Sequence, residues 1–258
     1  FLKIRLLGMA LLLALLTGCR QEQGKKTIET QPTALKNDSL PLPEKKAPMA
    51  LNPDTSYLEF VFKPYDLTNI KTLDSTIQVD LRYADTSNFL KINLYDGLRN
   101  AYLNCETAIK LANAQHFLKE KNSHYSLLLL DAARPLHVQQ MMWDSTRLDS
   151  AKKIMYLAAP YQTSLHNYGC AVDVTIIDLD SKKELDMGTG YDDFDLHSKP
   201  SYEWIFLKDS TLSKTAYENR LLLRTIMKRA GLRPITSEWW HFSTCTKEEA
   251  ALKFKLIK

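Results

Sequence analysis

The sequence has few cysteines, no cluster of basic residues and no long apolar segment. Four cysteines in 258 residues are too few and too scattered to hold together a small disulfide-rich fold. The 34 Lys and Arg residues face 30 Asp and Glu residues, a net charge of +4, and form no basic block, so nothing indicates nucleic-acid binding. A composition of 45% hydrophobic and 25% charged residues argues against global disorder and against a multispan membrane protein. These values are typical of a globular protein.

The N-terminus has the pattern of an export signal. Lys3 and Arg5 precede an apolar run of eleven residues at 6–16, too short for a bilayer-spanning helix of about 20 residues. Residues 16–19, Leu-Thr-Gly-Cys, resemble the bacterial lipoprotein signal, in which the cysteine is acylated and becomes the new N-terminus. We therefore expect residues 1–18 to be a signal peptide and a lipid on Cys19 to anchor the exported protein to a bacterial membrane, on its periplasmic or cell-surface side. An ordinary cleaved secretory signal is the alternative.

Residues 19–55 have the composition of a flexible tether. They contain many polar residues, few large apolar ones and half of the ten prolines of the chain, so they cannot offset the entropy lost on ordering. A tether of this kind would hold a folded domain clear of the membrane surface. The remaining residues, 56–258, show no internal repeat and are enough for a single well-buried core.

The apolar pattern of this domain mixes helices with strands. Alternating or short apolar runs predict strands at residues 76–82, 126–131, 171–178 and 237–242. Helical spacing predicts helices at residues 106–120, 136–143 and 217–230, the last ending at Gly231. Because the order shows no regular βαβ repeat, the predicted class is α+β.

Two short segments carry residues suited to a catalytic metal site. His166 and Asp173 are separated by a stretch that contains Gly169, and a glycine permits the tight turn needed to bring the two side chains to one point. His241 follows Glu238 by three residues. Two histidines and one carboxylate leave a fourth position open for water, as in catalytic zinc sites. The alternative is purely structural: His166 as a turn residue, Asp173 as a capping group and His241 as a packed ring.

These segments resemble a known enzyme family. Ser-Leu-His-Asn-Tyr-Gly-Cys-Ala-Val-Asp at 164–173 and Glu-Trp-Trp-His at 238–241 are similar to motifs of the zinc D-alanyl-D-alanine dipeptidases, relatives of the vancomycin-resistance dipeptidase and of the zinc D,D-carboxypeptidases. Supporting matches occur in the family's order and cover nearly all of residues 75–245, at positions 80–84, 88–89, 131–135, 187–189, 194–195 and 219–231. The resemblance implies a single domain with a central, mostly antiparallel sheet flanked by helices, and one Zn²⁺ bound on the sheet.

The resemblance also implies a role for individual residues. The zinc ligands would be His166, Asp173 and His241. Glu238 would be the general base, and Arg134 would stabilise the transition state. Independently of the resemblance, we expect Asp131 and Ser164 to contribute to substrate binding; for Asp131 the alternative is that it only orients Arg134.

The cysteine residues leave alternatives for the metal ligands and for disulfide pairing. Cys170 lies inside the first motif and is a rival zinc ligand, although the turn expected of the family directs it away from the metal. With Cys19 acylated, three cysteines remain, so at least one of Cys105, Cys170 and Cys245 stays free or pairs with another molecule.

The predicted substrate is a small dipeptide of D-amino acids. The alternatives are a D,D- or L,D-carboxypeptidase acting on longer muropeptides and a non-catalytic peptidoglycan-binding lipoprotein.

Overall fold

A computed structural model describes residues 56–147, 153–154 and 157–258. The predicted signal peptide, the lipid-bearing Cys19 and the tether lie outside these residues and stay predictions. Within the described ranges, no helix is long and apolar enough to cross a membrane.

The described segments contain helices and short strands in mixed order. The helices are α1 (Tyr57–Phe62), α2 (Ile70–Leu73), α3 (Cys105–Lys121), α4 (Leu136–Ser145), α5 (Glu203–Lys208), α6 (Lys214–Arg229) and α7 (Lys247–Lys253). The strands are β1 (Thr68–Asn69), β2 (Gln78–Val79), β3 (Tyr102–Leu103), β4 (Tyr125–Asp131), β5 (Ala171–Asp178), β6 (Lys183–Glu184), β7 (Arg233–Pro234) and β8 (His241–Ser243).

One six-stranded sheet organises the domain. Its order is β2-β4-β5-β8-β7, and β6 pairs with the far end of β5. Only the β2–β4 pair is parallel, while the other pairs in the sheet are antiparallel. Strands β1 and β3 form a separate antiparallel pair. The predicted α+β class and the mostly antiparallel sheet are confirmed.

The core lies between this sheet and the long helices α3 and α6. Both helices begin at a side-chain cap: Asn104 accepts a hydrogen bond from the backbone N–H of Thr107, and Ser213 from that of Ala216. On β5, the alternate residues Val172, Val174 and Ile176 join the main core, so the residues between them face the opposite side of the sheet. Asp173 is one of these.

Two predicted strands are shorter than the sequence pattern indicated. At residues 76–82 only β2 pairs as a strand, because the chain then enters a 3₁₀ turn at Arg82–Ala84, where the Tyr83 carbonyl accepts hydrogen bonds from two later backbone N–H groups. The last predicted strand, at residues 237–242, begins only at His241 in β8. The preceding Trp239 bonds to Ser198 and Thr189, outside the sheet.

Candidate active site

Three neighbouring strands bring acidic and imidazole side chains together. In the antiparallel ladder, Asp131 at the end of β4 is opposite Asp173 on β5, and Asp173 is opposite His241 at the start of β8. The register shifts between Leu129 and Asp131, so a β-bulge precedes this row. Residues far apart in sequence therefore become lateral neighbours on one face of the sheet.

His166 reaches the same point from a 3₁₀ turn at Leu165–Tyr168. Ser164 and Asn167 cap this turn reciprocally, and Gly169 ends it in a left-handed conformation at φ 64°. The His166 Nδ1 atom lies 2.7 Å from the carbonyl oxygen of Ala132. Because a carbonyl only accepts hydrogen bonds, Nδ1 carries a proton, and Nε2 is the nitrogen that faces the site.

The donor atoms of His166, Asp173 and His241 form a triangle of the size that zinc requires. His166 Nε2 lies 3.3 Å from His241 Nδ1 and 3.4 Å from Asp173 Oδ1, and His241 Nδ1 lies 3.0 Å from the same oxygen. Two donors on a tetrahedral zinc, at bond lengths of about 2.0–2.1 Å, lie roughly 3.3–3.4 Å apart. The donor set and its spacing therefore fit one zinc ion. Burial raises the pKa of Asp173, but His166 and His241 lower it further than burial raises it, so this carboxyl is ionised.

Glu238 stands beside the triangle without belonging to it. Its Oε2 atom lies 3.9 Å from His241 Nδ1, and 23% of its side chain is exposed. Burial raises the pKa of this carboxyl; His241 opposes the rise, and the negative charge of Asp173 adds to it. A carboxylate of raised pKa next to the donor triangle is suited to accept a proton from water.

Arg134 borders the site as a buried cation. Its guanidinium forms an ion pair with Asp131, donates from Nη1 to Gln139 Oε1 at 2.8 Å and lies over the ring of Tyr83 at 5.2 Å. Asp131 is fully buried and also accepts hydrogen bonds from Tyr95 and from the backbone N–H of Ala132. This places Asp131 beneath Arg134, in an orienting position, and not on the wall of the cavity.

A cavity of about 170 Å³ lies above these groups. Polar side chains on its wall include those of Arg134, Ser164, His166, Asp173, Asp192, Glu238 and His241. Every predicted site residue except Asp131 therefore borders one cavity.

Comparison with known proteins places the chain in a family. The Peptidase M15 family model, described as D-ala-D-ala dipeptidase, matches residues 63–255. The chain belongs to this peptidase family. Proteins named D-alanyl-D-alanine dipeptidase are 28% identical in Escherichia coli over 69% of this chain and 83% of the relative, and 29% identical in Synechocystis over 58% and 71%. The relative in Enterococcus faecium is 27% identical over 50% of this chain and 69% of its own length.

A solved structure of the LD-carboxypeptidase LdcB is more distant. It aligns with 72% of this chain and 71% of its own length, at 18% identity and a TM-score of 0.37.

The sequence motifs of this peptidase did not single out Asp192. This cavity residue has left-handed backbone angles, with φ at 58°, and both of its carboxylate oxygens accept hydrogen bonds from the hydroxyl of Tyr83 at 3.0–3.1 Å. Burial and the charge of Asp173 raise its pKa well above the usual range. No short-range spacing to either motif predicted this residue.

The side chains of Cys170 and His197 lie away from the donor triangle. Cys170 Sγ is buried, accepts a hydrogen bond from Asn104 and packs with Cys245, so it is not part of the donor triangle. Cys170 and Cys245 are both free thiols, which agrees with the expectation of at least one. His197 stacks on Phe206 at 3.7 Å and bonds to Asp195, as a loop residue outside the cavity.

Proposed function

We propose that this peptidase is zinc-dependent and hydrolyses D-Ala-D-Ala or a closely related small dipeptide. The observation that carries the proposal is the triangle of His166, Asp173 and His241, with Glu238 beside it as a carboxylate that is not a donor. A binding protein without catalysis has no use for a base at that position. The family relatives support the dipeptide substrate through the activity in their names.

Each group around the cavity has a task in peptide hydrolysis. Zinc held by the triangle would lower the pKa of a bound water from roughly 15.7 to about 7. Glu238 accepts the proton of the attacking water and delivers it to the leaving amine. The guanidinium of Arg134 stabilises the negative charge that develops on the carbonyl oxygen, a contribution of about 2.7–4 kcal/mol for donors of this kind.

An acidic residue on the cavity wall favours a substrate with a free amine. Asp192 is the acidic wall residue suited to bind the free ammonium of a dipeptide, because its only hydrogen-bond donor among the described side chains is the neutral hydroxyl of Tyr83. The ammonium of a free dipeptide would favour the ionised form of Asp192, whereas a blocked amine would lack this ion pair and should bind less tightly.

The test compares kcat/KM for D-Ala-D-Ala, its N-acetylated form and a stem pentapeptide that ends in the same bond. We expect the free dipeptide to be cleaved at least 100-fold faster than either blocked substrate. The variant Asp192→Asn should reduce this preference and raise KM for the free dipeptide. Equal or faster cleavage of the blocked substrates would favour the carboxypeptidase alternative, and cleavage of none of them would favour the non-catalytic binder.

The proposal includes a location outside the cytoplasm. It is supported by the basic start, the eleven-residue apolar run and the Leu-Thr-Gly-Cys sequence ending at Cys19. A lipid on Cys19 and a tether at residues 20–55 would present the domain at a bacterial membrane surface. An enzyme there meets peptides released from the cell wall and not a newly ligated cytoplasmic dipeptide, so turnover or salvage of wall peptides is the proposed role.

A further inference from the structure

The two carboxylate oxygens of Asp173 have different partners. Oδ1 faces the imidazoles of His166 and His241 at 3.4 and 3.0 Å. Oδ2 accepts a hydrogen bond from the hydroxyl of Tyr191 at 3.1 Å. Asp173 is 3% exposed, so little water is available to replace this hydroxyl.

We propose that Tyr191 is a positioning residue for the metal site: its hydroxyl holds Asp173 so that Oδ1 alone faces the metal. This inference rests on the proposed zinc dependence. A carboxylate freed from Tyr191 could turn about its terminal torsion, which is broad for aspartate, and offer the metal both oxygens or neither. Both oxygens together would compete for the position that a catalytic zinc site keeps open for water.

The ring of Tyr191 is fixed by aromatic neighbours. It meets the ring of Trp240 edge-on with centroids 5.5 Å apart, and that of Tyr83 at 6.2 Å. Trp240 directly precedes the ligand His241, so the same packing supports two of the three donors. A rigid ring allows one hydroxyl to define the direction of the carboxylate.

The chain segment that precedes Tyr191 is held by hydrogen bonds from two buried side chains, Arg220 and Trp239. Arg220 donates to the carbonyl of Met187 at 2.6 Å and to the hydroxyl of Thr189 at 3.3 Å. The indole N–H of Trp239 donates to the same hydroxyl at 2.9 Å. The position of Tyr191 is therefore set by α6 and by the segment before β8, not by the residues adjacent to Asp173 in sequence.

The buried tyrosines Tyr83 and Tyr95 provide matched controls. Tyr83 donates to Asp192 and Tyr95 donates to Asp131, so each of the three tyrosines supports one carboxylate at the site. Only the carboxylate supported by Tyr191 belongs to the donor triangle. Loss of the hydroxyl at position 191 should therefore affect the metal, whereas loss of the other two should affect substrate binding or Arg134.

The experiment uses the full chain with the variants Tyr191→Phe, Tyr83→Phe and Tyr95→Phe. The zinc dissociation constant of each metal-free protein is measured by competition with a chromophoric chelator. We expect Tyr191→Phe to weaken zinc binding about 10- to 100-fold, the usual effect of losing an outer partner of a metal ligand. Tyr83→Phe and Tyr95→Phe should stay within about threefold of wild type. The visible spectrum of the cobalt-substituted protein, which reports ligand geometry, should change only in Tyr191→Phe.

The outcomes separate this inference from the proposed function. Wild-type protein that binds no zinc would overturn the metal site and the inference with it. Stoichiometric zinc in wild type, with unchanged affinity and cobalt spectrum in Tyr191→Phe, would overturn the inference alone, as would equal losses in all three variants. If Tyr191→Phe does not fold, 4-fluorophenylalanine at position 191 replaces it, because its fluorine occupies the space of the hydroxyl but cannot donate a hydrogen bond. Unchanged zinc affinity and an unchanged cobalt spectrum in that protein would also overturn the inference.

Discussion

At the scale of single residues, each donor of the candidate zinc site is held in a different way. His166 donates from Nδ1 to the carbonyl of Ala132, and Asp173 accepts from Tyr191. His241 is placed by its pairing with Asp173 across the strands β5 and β8. Because these supports are separate, loss of one donor should remove the metal without unfolding the site.

The variant His241→Ala should lose most of its zinc. Removal of one of three protein donors leaves only His166 and Asp173, which are too few to hold the ion tightly. Elemental analysis should give about one zinc per wild-type chain and much less than half in the variant. His197→Ala is the control and should retain the metal, because His197 lies on a loop outside the cavity. Full zinc content in His241→Ala would contradict the ligand assignment.

The variant Glu238→Gln should separate metal binding from catalysis. The glutamine keeps the size of the side chain but cannot accept a proton, so the zinc content should match wild type while kcat falls by about 10²- to 10⁴-fold. Measurement of kcat together with elemental analysis of the same sample checks both parts. Turnover at the wild-type rate would rule out Glu238 as the base.

At the scale of elements, the turn that carries His166 depends on Gly169. This glycine has φ at 64°, and a Cβ atom added to it would lie 2.8 Å from the backbone nitrogen of Asn104. The same nitrogen donates a hydrogen bond to the Gly169 carbonyl at 3.0 Å, so the two segments cannot separate without losing that bond. The turn is thus pressed against the start of α3, and its glycine is required by both conformation and space.

The variants Gly169→Ala and Gly231→Ala distinguish these two requirements. Both glycines are left-handed, but a Cβ at Gly231 would meet only the flexible side chain of Lys110, at 3.5 Å. Gly231→Ala should lower the free energy of unfolding by about 1–2 kcal/mol, the cost of the left-handed conformation. Gly169→Ala should lose roughly 1–3 kcal/mol more, because the backbone of α3 must also move.

Urea denaturation of both proteins, together with their zinc content, checks this prediction. Displacement of the turn should shift His166, so Gly169→Ala should also bind zinc more weakly, whereas Gly231→Ala should bind it normally. Equal unfolding free energies in the two variants would contradict the steric argument.

At the scale of the whole molecule, the proposed lipid on Cys19 determines where the enzyme works. In cells of a bacterial host, wild-type protein should occur in the membrane fraction, and Cys19→Ser should be released from it or remain unprocessed. Cys245→Ser is the matched control and should stay in the membrane fraction, because Cys245 is a buried thiol of the domain. Immunoblots of fractionated cells check both variants, and wild-type protein found wholly in the cytosol would refute export.

We also expect the domain to be active without its tether. Protein consisting of residues 56–258 contains the sheet, both long helices and every candidate site residue. It should therefore bind zinc and hydrolyse the dipeptide as the full chain does. A loss of activity in this shorter protein would show that the N-terminal residues contribute to more than location.

The sequence by itself determined the long helices, the two central strands and the candidate donors. The helices α3 and α6 and the strands β4 and β5 follow from apolar periodicity, which is a local property of the chain. The residues His166, Asp173, Glu238 and His241 were predicted because they occur in two short motifs with distinct spacing. The structure brings donor atoms of His166, Asp173 and His241 within 4.8 Å of one another.

The tertiary structure alone decided how these residues meet and which others join them. The row from Asp131 to His241 depends on strand register and a β-bulge, which are set by packing across the sheet. Asp192 and Tyr191 reach the site on a segment that Arg220 of α6 holds through the carbonyl of Met187. Neither residue has a characteristic spacing from the two motifs in the sequence. Of the two roles that the sequence left open for Asp131, its burial beneath Arg134 favours the orienting one, because a buried cation requires an acidic partner. Contacts of this kind depend on the packed fold, and a local sequence pattern carries no record of them.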